Sequence, residues 1–180
     1  MSSSTKQAII EAFIKLASKK PLEKITVRNI VDTCGINRNT FYYHFQDIFA
    51  VLEEICKQAT AGIDRMLPFG EMMKQFFLLL SDYAEQYPKA VEHFAATIGE
   101  IGTEKYFSRP LDEVVFEVLK THAPHATPAM QRTATVFLRH AVMGLFFDFV
   151  NYRGKINKEE LATRIAVLAD GVLATLTAKP

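Results

Sequence analysis

Apolar residues return every three or four positions along almost the whole chain, the spacing of helices with one buried face, and no stretch alternates as a strand would. Ile9, Ile10, Phe13, Ile14, Leu16 and Ala17 follow this rhythm behind a Ser4 or Thr5 cap, and "SKKP" closes that helix before Pro21. In "TVRNIVDTCG", Thr26 opens a short second helix with Val27, Ile30 and Val31 inward, and Gly35 stands where a left-handed C-terminal cap is expected. Asn37 caps a third helix in which Phe41 and Phe45 share the inward face, while Arg38, Asn39, Tyr42, Tyr43 and His44 stay outward.

The pattern continues as a fourth helix from Asp47 to about Leu67, closed by Pro68 and Gly70. Further helices are expected over 71–87, 88–99 and 104–122, with Pro110 marking a break or a start in the last. Segment 128–153 has two apolar rows, one through Phe137, Ala141, Leu145 and Phe149 and another through Val136, Met143, Phe146 and Val150. A helix with two apolar faces needs two partners. From Asn157 a last helix brings Leu161, Ile165, Leu168, Val172 and Leu176 beside small residues that permit close approach.

The expected fold class is therefore all-α. Short helices joined by a glycine turn make a helix-turn-helix, whose second helix enters the major groove with its N-terminal residues toward the base edges. Arginine and asparagine can each present two hydrogen bonds to a purine edge, and tyrosine hydroxyls suit phosphate oxygens. Charge agrees: residues 1–45 carry seven bases against three acids, although the whole chain is only +1.

The segment "TVRNIVDTCGINRNTFYYHFQDIFAVLEEI" resembles the DNA-binding domain of TetR-type bacterial transcriptional regulators: a threonine-led helix, a glycine-apolar turn, a capping residue, then the aromatic ending "TFYYHF". The resemblance covers about residues 5–55. It implies a helix-turn-helix domain over 1–46 and a helical effector-binding and dimerisation domain over 47–180. It places Thr26, Arg28, Asn37, Arg38, Asn39, Thr40, Tyr42, Tyr43 and His44 at the DNA. It also implies a small-molecule pocket, for which Met66, Met73, Phe77, Tyr83, His93, Phe94, Thr97, Tyr106 and His140 are the candidate lining. The dimer interface is expected at Phe137, Ala141, Leu145, Phe146, Phe149, Leu161, Ile165, Leu168, Val172 and Leu176, in an isologous bundle of two helices from each chain. One departure stands out: "FQDIF" has Ile48 where many members carry a phosphate-contacting lysine.

The resulting expectation is a ligand-responsive, homodimeric regulator, a repressor on a palindromic operator. The alternative is a helical adaptor or co-activator of the same fold that acts through a protein partner. No leader and no uncharged membrane-length run is evident, so a cytoplasmic location is expected. Catalysis is not expected, because no phosphate-cradling loop, nucleophile elbow or catalytic acid pair is recognisable. The pair in "HAPH" (His122, His125) lacks further ligands at a supporting spacing, Cys34 and Cys56 are read as reduced packing residues, and neither metal nor cofactor is expected.

Overall fold

A computed structural model describes the backbone of residues 2–98, 104–152 and 154–178, and the side chains of 4–96, 112–152 and 154–178. Among these residues there are helices and no strand: α1 (Ser2–Ala17), a 3-10 turn (Leu22–Lys24), α2 (Val27–Cys34), α3 (Arg38–His44), α4 (Ile48–Ala61), α5 (Phe69–Gln86), α6 (Pro88–Ile98), α7 (Glu104–His122), α8 (Pro128–Asn151) and α9 (Lys158–Thr177). The protein is all-α.

Three boundaries differ from those read in the sequence. The fourth helix ends at Ala61 rather than near Leu67. Gly62 follows it, and the Asp64 carboxylate then accepts the Met66 N–H at 2.9 Å, so a local side-chain turn outcompetes the helix. Helix α5 starts directly after Pro68, ahead of the expected Glu71. Helix α7 runs through Pro110, which removes one internal N–H donor without ending the helix.

The chain divides into two compact units, one of residues 1–58 and 83–107, the other of 59–82 and 108–180. In the first, α1 packs on α2 and α6, and α2 on α3. Its core joins Ile9, Phe13, Ile30, Phe41, Phe45 and Val51, each at most 5% exposed. Full burial of side chains of this size contributes about 1.5–3 kcal/mol each. Ala90 and Phe94 of α6 pack against the same cluster. His93 Nδ1 lies 2.7 Å from the Ala17 carbonyl at the C-terminal end of α1, which ties α6 to that helix.

In the second unit α8 packs on α9. The buried face of α8 carries Ala134, Leu138, Val142, Phe146, Phe149 and Val150, together with Gln131 and Thr135. These polar groups are satisfied: Gln131 Nε2 donates to the Ala123 carbonyl and the Thr135 hydroxyl to the Gln131 carbonyl, both at 2.9 Å. A partly buried ion pair joins Arg139 to Asp112 at 2.7 Å. By length and composition α8 could cross a membrane. Its packed face with hydrogen-bonded polar residues is that of a core helix.

Where α5 begins, the Gly70 N–H donates to Asp170 Oδ1 of α9 at 2.8 Å, placing a carboxylate at a helix N-terminus. A Cβ on Gly70 would stand 2.5 Å from both the Ala166 carbonyl oxygen and Asp170 Oδ2. Backbone cannot retreat as a flexible side chain can. Gly70→Ala is therefore expected to destabilise the protein by about 1–3 kcal/mol, as overpacked sites do, read as a lowered thermal midpoint. An unchanged midpoint would show that α5 and α9 can separate freely there.

Candidate nucleic-acid interface

Local chemistry sets the helix-turn-helix. The Thr26 hydroxyl accepts the Asn29 N–H at 3.2 Å while Asn29 Oδ1 accepts the Thr26 N–H at 3.1 Å, a reciprocal cap that starts α2. Gly35 ends it at φ 70°, a left-handed conformation open to glycine. Its N–H and that of Ile36 both return to the Val31 carbonyl. Asn37 then caps α3: its Oδ1 accepts the Thr40 N–H at 2.8 Å and the Thr40 hydroxyl at 3.0 Å.

Packing decides which face of α3 turns outward. Phe41 is fully buried, with Phe45 beside it at 6.0 Å between ring centroids. Tyr43 is 80% exposed and Tyr42 55%, with Arg38 and Asn39 also exposed. His44 is half-buried, edge-on to Tyr43. Thr26 and Arg28 are exposed at the start of α2, where Arg28 pairs loosely with Asp32 at 3.7 Å. The sequence-derived set is thus gathered on two adjoining short helices.

Two of its members are committed to structure. The Asn37 carboxamide oxygen is occupied by the cap, and the Thr40 hydroxyl proton is donated inward to it, so Thr40 can offer outward a methyl group or a lone pair rather than a donor. Thr26 differs, since its hydroxyl only accepts in the cap and its proton remains for an outside acceptor. Ile48, in place of a lysine, is half-buried against the core of the first unit.

The expected effector residues fall in both compact units. Met73 borders a small apolar cavity of about 10 Å³, lined by Ile63, Met72, Met73, Phe76, Val114 and Val115. Phe77 is buried in the same unit against Phe149, but Met66 is 85% exposed and His140 is exposed on α8. Tyr83, His93 and Phe94 belong to the first unit: Tyr83 stacks with Tyr87, and His93 and Phe94 face α1 and its core. The side chains of Thr97 and Tyr106 lie outside the described residues.

The interface expectations divide as well. Phe146, Phe149 and Ile165 are buried within the chain itself at 3–5% exposure. Phe149 faces inward against Phe77 of α5. Phe137 (59%) and Leu168 (65%) are exposed, Ala141 is exposed, and Leu145, Leu161, Val172 and Leu176 are half-buried.

The cysteines are quiet. Burial, with a smaller push from the Glu53 carboxylate, raises the Cys56 thiol to about 11, and burial raises Cys34. Among the described residues no group of three or more His, Cys, Asp and Glu side chains is placed to hold a metal, and His122 Nδ1 lies 3.0 Å from the Val118 carbonyl of its own helix.

Sequence reasoning missed a contact between the helices around this surface. Lys6 of α1 pairs with Glu54 of α4 at 2.7 Å and lies 5.8 Å from the centroid of the Phe45 ring. Burial alone would raise the Glu54 carboxyl. Hydrogen bonds from Lys6 and Gln58 and the charges of Lys6 and Lys57 outweigh it and leave the group below its ordinary value. Such a carboxylate stabilises the fold fully above its unfolded-state range, and this contribution is lost as pH falls through the lowered folded value.

Comparison with known proteins agrees with this geometry. Residues 9–55 match the family model described as bacterial regulatory proteins, tetR family. The fold is similar to that of a protein described as a transcriptional regulator from Pseudomonas aeruginosa PAO1 (TM-score 0.65, 16% identity, 97% of this chain and 92% of that one). It is also similar to the dihydroxyacetone kinase operon activator DhaS (TM-score 0.59, 20% identity, 96% of each chain). A third similar structure is NalD, the secondary repressor of the MexAB-OprM multidrug efflux pump in Pseudomonas aeruginosa (TM-score 0.59, 17% identity, 95% of this chain and 96% of that one). No curated protein matches the sequence. The chain thus has the fold of a helix-turn-helix transcriptional regulator. Residues 9–55 are similar to the N-terminal domain of the TetR family.

Loss of the α3 cap separates structural from contact roles. Asn37→Ala is expected to cost about 0.5–2 kcal/mol of stability in denaturant unfolding without DNA present. No loss would mean that the Asn37 cap contributes little to α3.

Proposed function

We propose that the protein is a ligand-responsive transcriptional regulator that reads a palindromic DNA operator as a homodimer. The observation that carries this reading is the exposed set Arg38, Asn39, Tyr42 and Tyr43 on a helix that is anchored by the buried Phe41 and follows a glycine turn. Arg38 and Asn39 suit purine edges in the major groove. Thr26, Arg28, Tyr42, Tyr43 and His44 suit the flanking phosphates, and Asn37 and Thr40 serve mainly to fix the helix start. In functional terms residues 1–46 form the DNA-binding domain and 47–180 the effector and dimerisation domain. A cytoplasmic location follows from a role on DNA.

A homodimer is supported by the apolar surface left on α8 and α9. Met130, Phe137, Val167 and Leu168 are each 49–69% exposed, and a Cβ on Gly144 or Gly171 would meet nothing. Large apolar side chains beside small ones let two pairs of helices approach closely around a two-fold axis. Repression is the simplest output, because occupying the operator is enough to block access. An effector would act from the second unit. The methionine-lined cavity there has room for about one water, so an apolar ligand would have to displace Met72 or Met73.

Selection of the purified protein against a randomised DNA duplex library tests the reading, with an enriched inverted repeat as the expected result. Absence of enrichment would favour the adaptor that acts through a protein partner. On the enriched duplex, Arg38→Ala is expected to lose about 1–3 kcal/mol of binding and to relax preference at one position per half-site. Unchanged affinity and preference would remove Arg38 from the base-reading set. Phe137→Asp with Leu168→Asp is expected to give monomers by sedimentation, whereas an intact dimer would place the interface elsewhere.

A further inference from the structure

We propose that Lys6 is a positioning residue for the DNA-reading helix: from the first helix it holds the C-terminal end of α3 in place through Phe45 and Glu54. Its ammonium pairs with one element and lies near the end of another. Glu54 Oε1 of α4 lies 2.7 Å away, and the ring of Phe45, the residue that ends α3, has its centroid at 5.8 Å. The Lys6 and Glu54 side chains are only 37% and 23% exposed, and Gln58 Nε2 donates to the same carboxylate oxygen at 3.2 Å.

Partial burial makes the contact selective. An exposed ion pair stabilises little, but a charge pair screened from water and sharing a second hydrogen bond is stronger and fixed in direction. Phe45 is 5% exposed, and its ring packs on Phe41, the anchor of the outward face. Helix α3 has seven residues, so its order is borrowed from such contacts. Lys6 is thus one of the seven bases of the N-terminal region, yet its charge is spent inside the protein rather than on a phosphate.

The inference rests on the DNA-binding reading for its consequence but not for its test. Amide hydrogen exchange is measured on the full-length free protein and on Lys6→Met, Glu54→Gln, their combination, and Lys6→Arg. Both single variants are expected to exchange about tenfold faster in α3, the loss of a partly buried charged hydrogen bond, with α2 unchanged. The double variant should be no worse than either single one, and Lys6→Arg should stay protected. Unchanged exchange in α3, or an equal rise in α2 and α3, would overturn the proposal, the second result meaning that the pair adds only global stability. On bound duplex DNA, Lys6→Met should weaken affinity while leaving its salt dependence unchanged. A slope reduced by about 0.9 would instead make Lys6 a phosphate contact and refute a positioning role. If the wild type bound no duplex while the exchange pattern held, the DNA-binding reading would fail and the positioning role would stand.

Discussion

The burial of Phe41 is the contact on which the proposed DNA-reading surface depends. A helix of seven residues is too short to persist alone in water, and α3 exists because this ring and that of Phe45 are seated in the core of the first unit. Once Phe41 points inward, helical geometry leaves no choice for Asn39, Tyr42 and Tyr43, which must face away. The left-handed Gly35 and the Asn37 cap fix where the helix starts, and the ring fixes how it is rotated. The side chains proposed to read bases are then presented without rearrangement of their backbone.

The same economy appears in the second unit. Helix α8 spends one face on Leu138, Val142, Phe146 and Phe149, with Gln131 and Thr135 hydrogen-bonded within it, and leaves Phe137 and Ala141 outward. Helix α9 does likewise with Ile165 and Ala169 inward and Val167 and Leu168 outward. A surface of this kind is costly in a monomer and useful in a symmetric pair.

How far the sequence could be read depended on the range of the interactions concerned. The helix-turn-helix was legible because its caps, its glycine turn and its phenylalanine spacing act over three or four residues, and they stand in the structure as they stand in the chain. The end of α4 was missed because Gly62 and the Asp64 turn override an apolar pattern that continues to Leu67. The two apolar rows of α8 were visible, but the split between core and surface was not: Phe146 and Phe149 went inward, Phe149 against Phe77 of α5, and Phe137 outward. His93 and Phe94 were expected, from the family resemblance, as candidate lining of a ligand pocket. Their contacts with α1 and its core join residues far apart in sequence, which periodicity does not report. The Lys6–Glu54 pair was hidden for the same reason, inside a count of basic residues.

The claim that the outward face of α3 reads base edges in the major groove is tested most directly by purine substitution in a bound duplex. Replacing guanine and adenine one at a time by their 7-deaza analogues removes the N7 acceptor from the major groove and leaves the minor groove intact. The account predicts weakened binding at a few positions repeated symmetrically in the two half-sites. Binding indifferent to every 7-deaza substitution, yet abolished by a minor-groove ligand, would contradict it.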